Sequence, residues 1–473
     1  MQTQQRTRTE RDSMGEMQVP ADALWGASTQ RAVLNFPISK LRFNRRFIRA
    51  LGQIKLAAAE VNRDLGLLDG QHADAIIAAA REVIDGKWDD HFVIDIFQTG
   101  SGTSTNMNAN EVIANLAIER LGGERGARGL VHPNDHVNIG QSSNDVIPTA
   151  IQLAVLTGIQ DELIPACEEL RDALMDKSRE FWPIIKTGRT HLQDATPIRL
   201  GQEFLGFAGQ MDHGIRRLRY AQQELGDVPL GGTAVGTGVN CHPEFAKRVC
   251  DKLSQMNGVK VWETDNHFQA QNTLDAVVAA SGMIRTLAVS IFKICNDIRW
   301  MASGPRAGIF ELLLPEVQPG SSIMPGKVNP VIPESLVQVA AQVLGNDTTV
   351  VLGGISGNFE LNVMMPVTAH NVTESVELLA SGIRNFTAQC IRGIQATENG
   401  PAMVEKGLAI CTALAPVIGY DAAAKIAKEA FASGRTIREV AREKTDLSDA
   451  DLERILNPED MTKPGLEGPG GGG

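Results

Sequence analysis

The amino-acid sequence predicts an all-α protein built around long helices, and three observations carry that expectation. From Ile284 the apolar residues recur at Leu287, Ile291, Ile294, Ile298 and Met301. Steps that alternate between three and four lay one narrow seam along a helix, the spacing used by bundles and coiled coils. A second stripe passes through Ile147, Ile151, Val155, Ile159, Leu163, Cys167, Leu170 and Leu174, with steps mostly of four, so it drifts around its helix. Third, aliphatic residues are plentiful while aromatic residues make up only 5% of the chain, a bias that suits close-packed helices better than a β-sandwich. No strand-rich region and no repeat of fixed period competes with this reading.

A chain of 473 residues exceeds one compact core, so two to four structural units are expected. We divide it into a mainly helical N-terminal domain (1–143), a central long-helix domain (144–368) carrying a mobile loop at 315–330, and a small helical C-terminal domain (369–473) ending in a flexible Gly-rich tail. Small residues at Ala279, Ala280, Ser281 and Gly282 would let neighbouring helices approach closely. Helices this long are not buried by one small core, so packing across subunits is expected.

Composition excludes several function classes. The apolar share of 43% and charged share of 21% are those of an ordinary soluble protein. A formal charge of −11 argues against nucleic-acid binding, which needs clustered cations, but leaves room for a local cationic pocket. Six cysteines (167, 241, 250, 295, 390, 411) show no Cys-x-x-Cys pair, and free thiols in a reducing cytosol are expected. The N-terminal residues lack the apolar run of a secretory signal. No uninterrupted apolar stretch approaches the roughly 20 residues of a spanning helix, so a cytoplasmic protein without membrane association is expected.

Between the helical stretches lie five polar, Gly- and Pro-rich segments: 98–110, 132–148, 187–203, 231–243 and 315–334. Loops of this kind in a helical protein are more often functional than accidental. Ser101, Thr103, Ser142, Ser143, Asn144, Thr190 and Asn329 supply neutral donors, and Lys327 a compact cation. Hydroxyls and amides with one or two cations describe a pocket for carboxylate oxygens. A phosphate site fails on spacing: Gly100-x-Gly102 is followed by Thr105, and Gly326-Lys327 by Val328 where a P-loop needs Ser or Thr. Metal binding has little support, since His132 and His136 form the one close histidine pair, in an irregular loop.

The segment Gly320-Ser-Ser-Ile-Met-Pro-Gly-Lys-Val-Asn-Pro330 stands out. As plain structure it would be a turn and a helix cap. Instead a lysine and an asparagine follow the serines, while Pro325, Gly326 and Pro330 hold the loop out of any helix. Mobile glycines with limiting prolines suit a lid closing over a substrate.

This segment resembles, almost letter for letter, the shared motif of the fumarase/aspartase superfamily. GSGTSTNMNANEV, HPND, QSSND, GRTHLQDATP, LGGTAVGTGVN and SGNFELNV are similar to class II fumarase segments in the family's order, over roughly residues 10 to 460. The resemblance implies an all-α fold with a central bundle of long helices, assembled as a homotetramer whose active sites gather loops from three subunits. It implies anti addition or elimination on a four-carbon dicarboxylate such as fumarate or malate, without cofactor or metal. Carried over by motif, Ser321 is the base taking the C3 proton, and Lys327 and Asn329 bind the carboxylate that becomes an enolate-like dianion. Ser101, Gly102, Thr103, Ser142, Ser143, Asn144, Thr190, Ser322 and Val328 join them in holding substrate. His191, paired with Glu334 in the family, would position or activate the water. His132, Pro133, Asn134 and Asp135 match a second, non-catalytic dicarboxylate site.

Within the superfamily the alternative is an aspartate ammonia-lyase. Aspartases usually read Ser-Thr-Asn-Asp where this chain has Ser142-Ser143-Asn144-Asp145, and Pro-Ala-Lys where it has Pro325-Gly326-Lys327, so fumarase is the expectation. Val331-Ile332-Pro333-Glu334 occurs in both. A lyase fold retained as a structural protein, as in lens crystallins, would have lost the serine or the lysine; both are present.

Overall fold

The computed structural model describes residues 6–465; the Gly-rich tail, expected to be flexible, lies outside them. The fold is mainly helical. A hairpin, β1 (Thr7–Asp12) and β2 (Gly15–Pro20), precedes α1 (Ala27–Asn35), α2 (Arg45–Asp64), α3 (Gly70–Ile84), α4 (Thr103–Arg120), α5 (Ser143–Gly158) and α6 (Ile164–Glu180). A second hairpin, β3 (Ile185–Thr190) and β4 (Gln193–Arg199), leads into α7 (Leu200–Leu225), α8 (Phe245–Asn257) and the short α9 (His267–Asn272). Three long helices follow, α10 (Asp275–Met301), α11 (Val331–Gly354) and α12 (Met365–Gln389). The first, of 27 residues, is about 40 Å long.

The two stripes read from the sequence are core seams. Ile284, Leu287, Ile291, Ile294, Ile298 and Met301 are all buried, as are Ile147, Ile151, Val155, Ile159, Leu163, Cys167, Leu170 and Leu174. On length and composition α10 could cross a membrane, yet this seam makes it a packing helix. The drift of the other stripe has a cause: a π-helical turn at Ile159–Leu163 joins α5 to α6. Such a turn inserts an extra residue and rotates the helix beyond it.

The chain folds into two compact units, one comprising residues up to 165 with 214–288 and 339–380, the other 166–213, 289–338 and 381 onward. In the first, α2 packs against α3, α5 and α8. Its N-cap Asn44 accepts from the Phe47 amide, and Asp69 caps α3 by accepting from the amides of Gln71 and His72, so exposed N–H groups at each helix start are satisfied. In the second unit the C-terminal helices enclose a core of Ile410, Leu414, Ile426, Val440, Leu452 and Leu456.

Three of the five polar segments are more ordered than expected. Residues 103–110 are helical, and Asn106, Asn108 and Asn110 are buried with their amide groups donating to Asn138 Oδ1 or, for Asn108, to the His91 carbonyl rather than to solvent. Residues 143–148 begin α5, with Pro148 inside it. Most of 187–203 is the β3–β4 hairpin, where a bulge between Thr187 and Arg189 disguises the two-residue period.

Candidate active site

In the first unit two helix starts converge. Gly102 precedes α4 in the left-handed region, at φ 72°, a conformation glycine adopts without strain. A Cβ at Gly100 would meet the Val363 carbonyl at 1.9 Å, so the Ser356–Val363 segment closes against this turn only because position 100 is bare. Thr103 is the first residue of α4 and Ser143 the first of α5. Their hydroxyls share a hydrogen bond of 2.7 Å, and Ser101 Oγ lies 2.7 Å from Thr103 Oγ1. Ser142 caps α5 by accepting from the Asn144 amide at 3.2 Å, and Asn144 Nδ2 donates to the Ala234 carbonyl at 2.8 Å. Hydroxyl donors at two helix N-termini, with the positive ends of two dipoles, make a seat for an anion.

Asp145 holds this seat together. Its Oδ1 accepts from the Ser142 amide at 2.9 Å, completing a capping box. Its Oδ2 accepts from the amides of Gly231 (3.0 Å) and Thr233 (2.9 Å), which fastens the Leu230–Asn240 segment to α5. Burial nevertheless pushes its carboxyl up to about 6.

His132, Pro133, Asn134 and Asp135 form a π-helical turn in the same unit. His132 Nδ1 accepts from the amides of Asn134 (3.3 Å) and Asp135 (3.1 Å). The rings of His72 and His136 lie 4.6 Å apart, and burial, then the neighbouring His72, holds His136 below the usual histidine range. Among the described residues no group of three His, Cys, Asp or Glu is placed to hold a metal ion.

In the second unit Thr190 and His191 are exposed at the tip of the β3–β4 hairpin. His191 and Leu192 turn the chain in left-handed conformations, φ 56° and 58°, uncommon for non-glycine residues and often a mark of functional sites. Beneath them lies a buried ion network that sequence reasoning missed. Lys186 Nζ meets Glu203 at 2.8 Å and Glu311 at 3.0 Å, and Arg189 reaches the other Glu311 oxygen at 2.9 Å. Burial raises the Glu203 carboxyl above its ordinary range.

The 320–330 loop lies in the same unit. Ser321 Oγ accepts from the amides of Ile323 (3.3 Å) and Met324 (2.9 Å), and Asn329 Nδ2 donates to the Gly320 carbonyl. A Cβ on Gly320 would sit 2.0 Å from the Lys327 carbonyl. The loop therefore crosses itself, with the serine and the lysine on one small ring. Ser322, Lys327 and Val328 are exposed. Lys327, Val328 and Asn329 line a cavity of about 670 Å³ together with Arg299, Trp300 and Phe310. Glu334, in the first turn of α11, faces Arg299 at 3.8 Å within the chain. A second cavity of about 790 Å³, lined by Gln152, Arg219, Asp227 and Trp262 among others, holds none of the residues singled out from sequence.

The lyase family profile matches residues 15–345, and that of the fumarase C C-terminus matches 410–463. The class II fumarate hydratase of Halobacterium salinarum is 54% identical over 97% of this chain and 98% of its own length. The chain belongs to the class II fumarases. A second such hydratase, from Bradyrhizobium diazoefficiens, is 52% identical over 97% of both chains. Among solved structures, class II fumarase of Schistosoma mansoni superposes with a TM-score of 0.94 at 38% identity, covering 96% of this chain and 99% of its own. A fumarate lyase:delta crystallin of Brucella melitensis, solved bound to cobalt, gives 0.93 at 46% identity, covering 97% and 100%. The fumarase fold thus explains why the polar motifs, dispersed in sequence, sit at helix starts, a hairpin tip and one crossed loop.

Proposed function

We propose that the chain catalyses the reversible addition of water to fumarate, giving malate. The observation that carries this reading is the Thr103–Ser143 hydroxyl pair at two helix N-termini, in a class II fumarase chain. A dicarboxylate seated there has one carboxylate on Ser101, Gly102, Thr103, Ser142, Ser143 and Asn144. Lys327 and Asn329, with Ser322 and Val328 beside them, are assigned the other from another copy of the chain.

A proton next to a carboxylate is very weakly acidic, so the chief demand is to stabilise the doubly charged intermediate. Preorganised donors and a cation in a pocket drained of water meet it, each contributing about 3 kcal/mol. Ser321 takes the C3 proton in this reading. Its oxygen already accepts two backbone amides and shares its loop with Lys327, both of which favour an alkoxide. Thr190 and His191, the latter with Glu334, would position the water. The turn at His132, Pro133, Asn134 and Asp135 is assigned to a second dicarboxylate site outside the chemistry.

We also infer a homotetramer whose sites take loops from three copies. Exposed Val289, Phe292 and Trp300 on α10, and Leu344, Val351 and Leu352 on α11, support it, since long helices with uncovered apolar residues call for a partner. Six unpaired cysteines support a cytoplasmic setting. Loss of the fumarate double-bond absorbance in water alone tests the activity. Loss that requires ammonium would instead mean an aspartate ammonia-lyase.

A further inference from the structure

Lys55 lies wholly out of solvent in the middle of α2. Its Nζ donates to Asn138 Oδ1 and Gln141 Oε1, both at 2.9 Å. Neither acceptor is charged. Asn138 Oδ1 also accepts from Asn106 Nδ2 at 3.3 Å and Asn110 Nδ2 at 3.2 Å, and Asn138 Nδ2 donates to the Gln141 carbonyl at 3.0 Å. Asn106 lies one turn beyond Thr103 on α4, and Gln141 immediately precedes Ser142. One ammonium group is thus anchored behind both helix starts of the anion seat.

The charge acting on Lys55 is Asp145, on α5. Several other charged groups on the helices packed around α2 are engaged elsewhere. On α3, Asp74 pairs with Arg63, and on α8, Lys252 pairs with Glu60. On α4, Glu111 accepts from the amides of Gly26, Ser28 and Thr29. Burial brings the Lys55 ammonium down to about 7, and the Asp145 field only partly offsets this. A buried cation facing neutral acceptors is costly to hold charged. An arriving anion changes that balance.

We propose that Lys55 is a positioning residue whose charge is linked to substrate: binding of a dicarboxylate at the Thr103–Ser143 seat draws a proton from solvent onto Lys55 Nζ. The new N–H bond on Nζ is matched by a proton lost from water or buffer, and no bond between heavy atoms changes. The recharged ammonium tightens its bonds to Asn138 and Gln141 and sets the field behind the carboxylate. This inference rests on reading that seat as the carboxylate site.

Titration calorimetry with succinate, a saturated four-carbon dicarboxylate, tests it at pH 8 in two buffers of different ionisation enthalpy. At that pH Asp145, with its carboxyl pushed up to about 6, is ionised and contributes little. The wild-type protein is expected to take up about half a proton per site. Lys55→Met loses that uptake and binds succinate about fivefold more weakly at pH 7, as one pKa unit of coupling gives for a group half protonated at that pH. Lys55→Arg, charged throughout, keeps the affinity and takes up no proton. Absence of uptake in the wild type overturns the proposal without any variant, and so does equal uptake in Lys55→Met. Hydration of fumarate by the same preparations separates the two readings. Turnover without proton uptake removes only the role of Lys55, whereas neither turnover nor binding removes the site as well.

Discussion

The hydroxyl oxygens of Thr103 and Ser143 lie 2.7 Å apart across forty positions of sequence. Each belongs to the first residue of its helix, so the positive ends of two helix dipoles converge there. The two hydroxyls hydrogen-bond to each other.

That pairing predicts non-additive kinetics. Thr103→Val and Ser143→Ala should each raise the KM for fumarate about tenfold, the scale of one hydrogen bond to a charged group. The double variant should fall well short of the product, because the second substitution removes a hydroxyl whose partner is already lost. Steady-state assays of the four proteins decide it, and strictly multiplicative effects would mean that the hydroxyls act independently.

For the crossed loop, Ser321→Ala is expected to lower kcat by about a thousandfold, the range of a lost general base. Lys327→Met should cost about a hundredfold or more, as for a lost oxyanion donor. Both exposed or half-exposed positions should leave the oligomer unchanged on size-exclusion chromatography. A Ser321→Ala protein retaining most of its turnover would move the base elsewhere.

The buried Lys55 and Asp145 also shape stability against pH. The Lys55 pKa falls on folding from 10.5 to about 7, so between those values the unfolded chain binds the extra proton. Stability from this group therefore rises as pH climbs from about 7 toward 10.5. The Asp145 pKa rises on folding from 3.8 to about 6. Here the folded state binds the extra proton, so stability from this group falls as pH climbs through that interval. Melting temperatures measured across pH should show the wild type gaining on Lys55→Met above pH 7. A constant difference between the two would contradict the assignment.

If copies share sites, inactive chains should rescue one another. Ser321→Ala and His191→Asn chains, unfolded together and refolded as a mixture, should regain a measurable fraction of wild-type turnover, while each refolded alone should not. A mixture as inactive as its parts would place both residues in a site built from one copy.

The helical seams were legible because burial of one face imposes a period that shows in the letters, as with Ile284 through Met301. The convergence of Ser101, Thr103 and Ser143 was half legible. The hydroxyls and amides stood out by composition, but their partnership depends on Gly100 and Gly102 letting two distant turns close. Asp145 could have been found, since an acid three residues after a serine signals a capping box. Lys55 could not. A lysine amid Ile54, Leu56 and Ala57 reads equally well as a snorkelling surface cation, and the asparagine and glutamine side chains that receive it come from sequence 83 and 86 positions away. The Lys186–Glu311–Arg189 network was hidden likewise, because pairing of charges across more than a hundred positions leaves no local period.

The crossing at Gly320 gives the most recognisable stretch of this sequence a mechanical meaning. Eleven letters that look like a ligand motif are also a clasp, in which the Lys327 carbonyl occupies the place of a side chain at 320. Any larger residue at 320 would spring the clasp and part Ser321 from Lys327, without touching either. Gly326, with open space around it but φ at +79°, is constrained by its bend alone. The same letter thus marks a fastening at one end of the loop and a left-handed bend near the other.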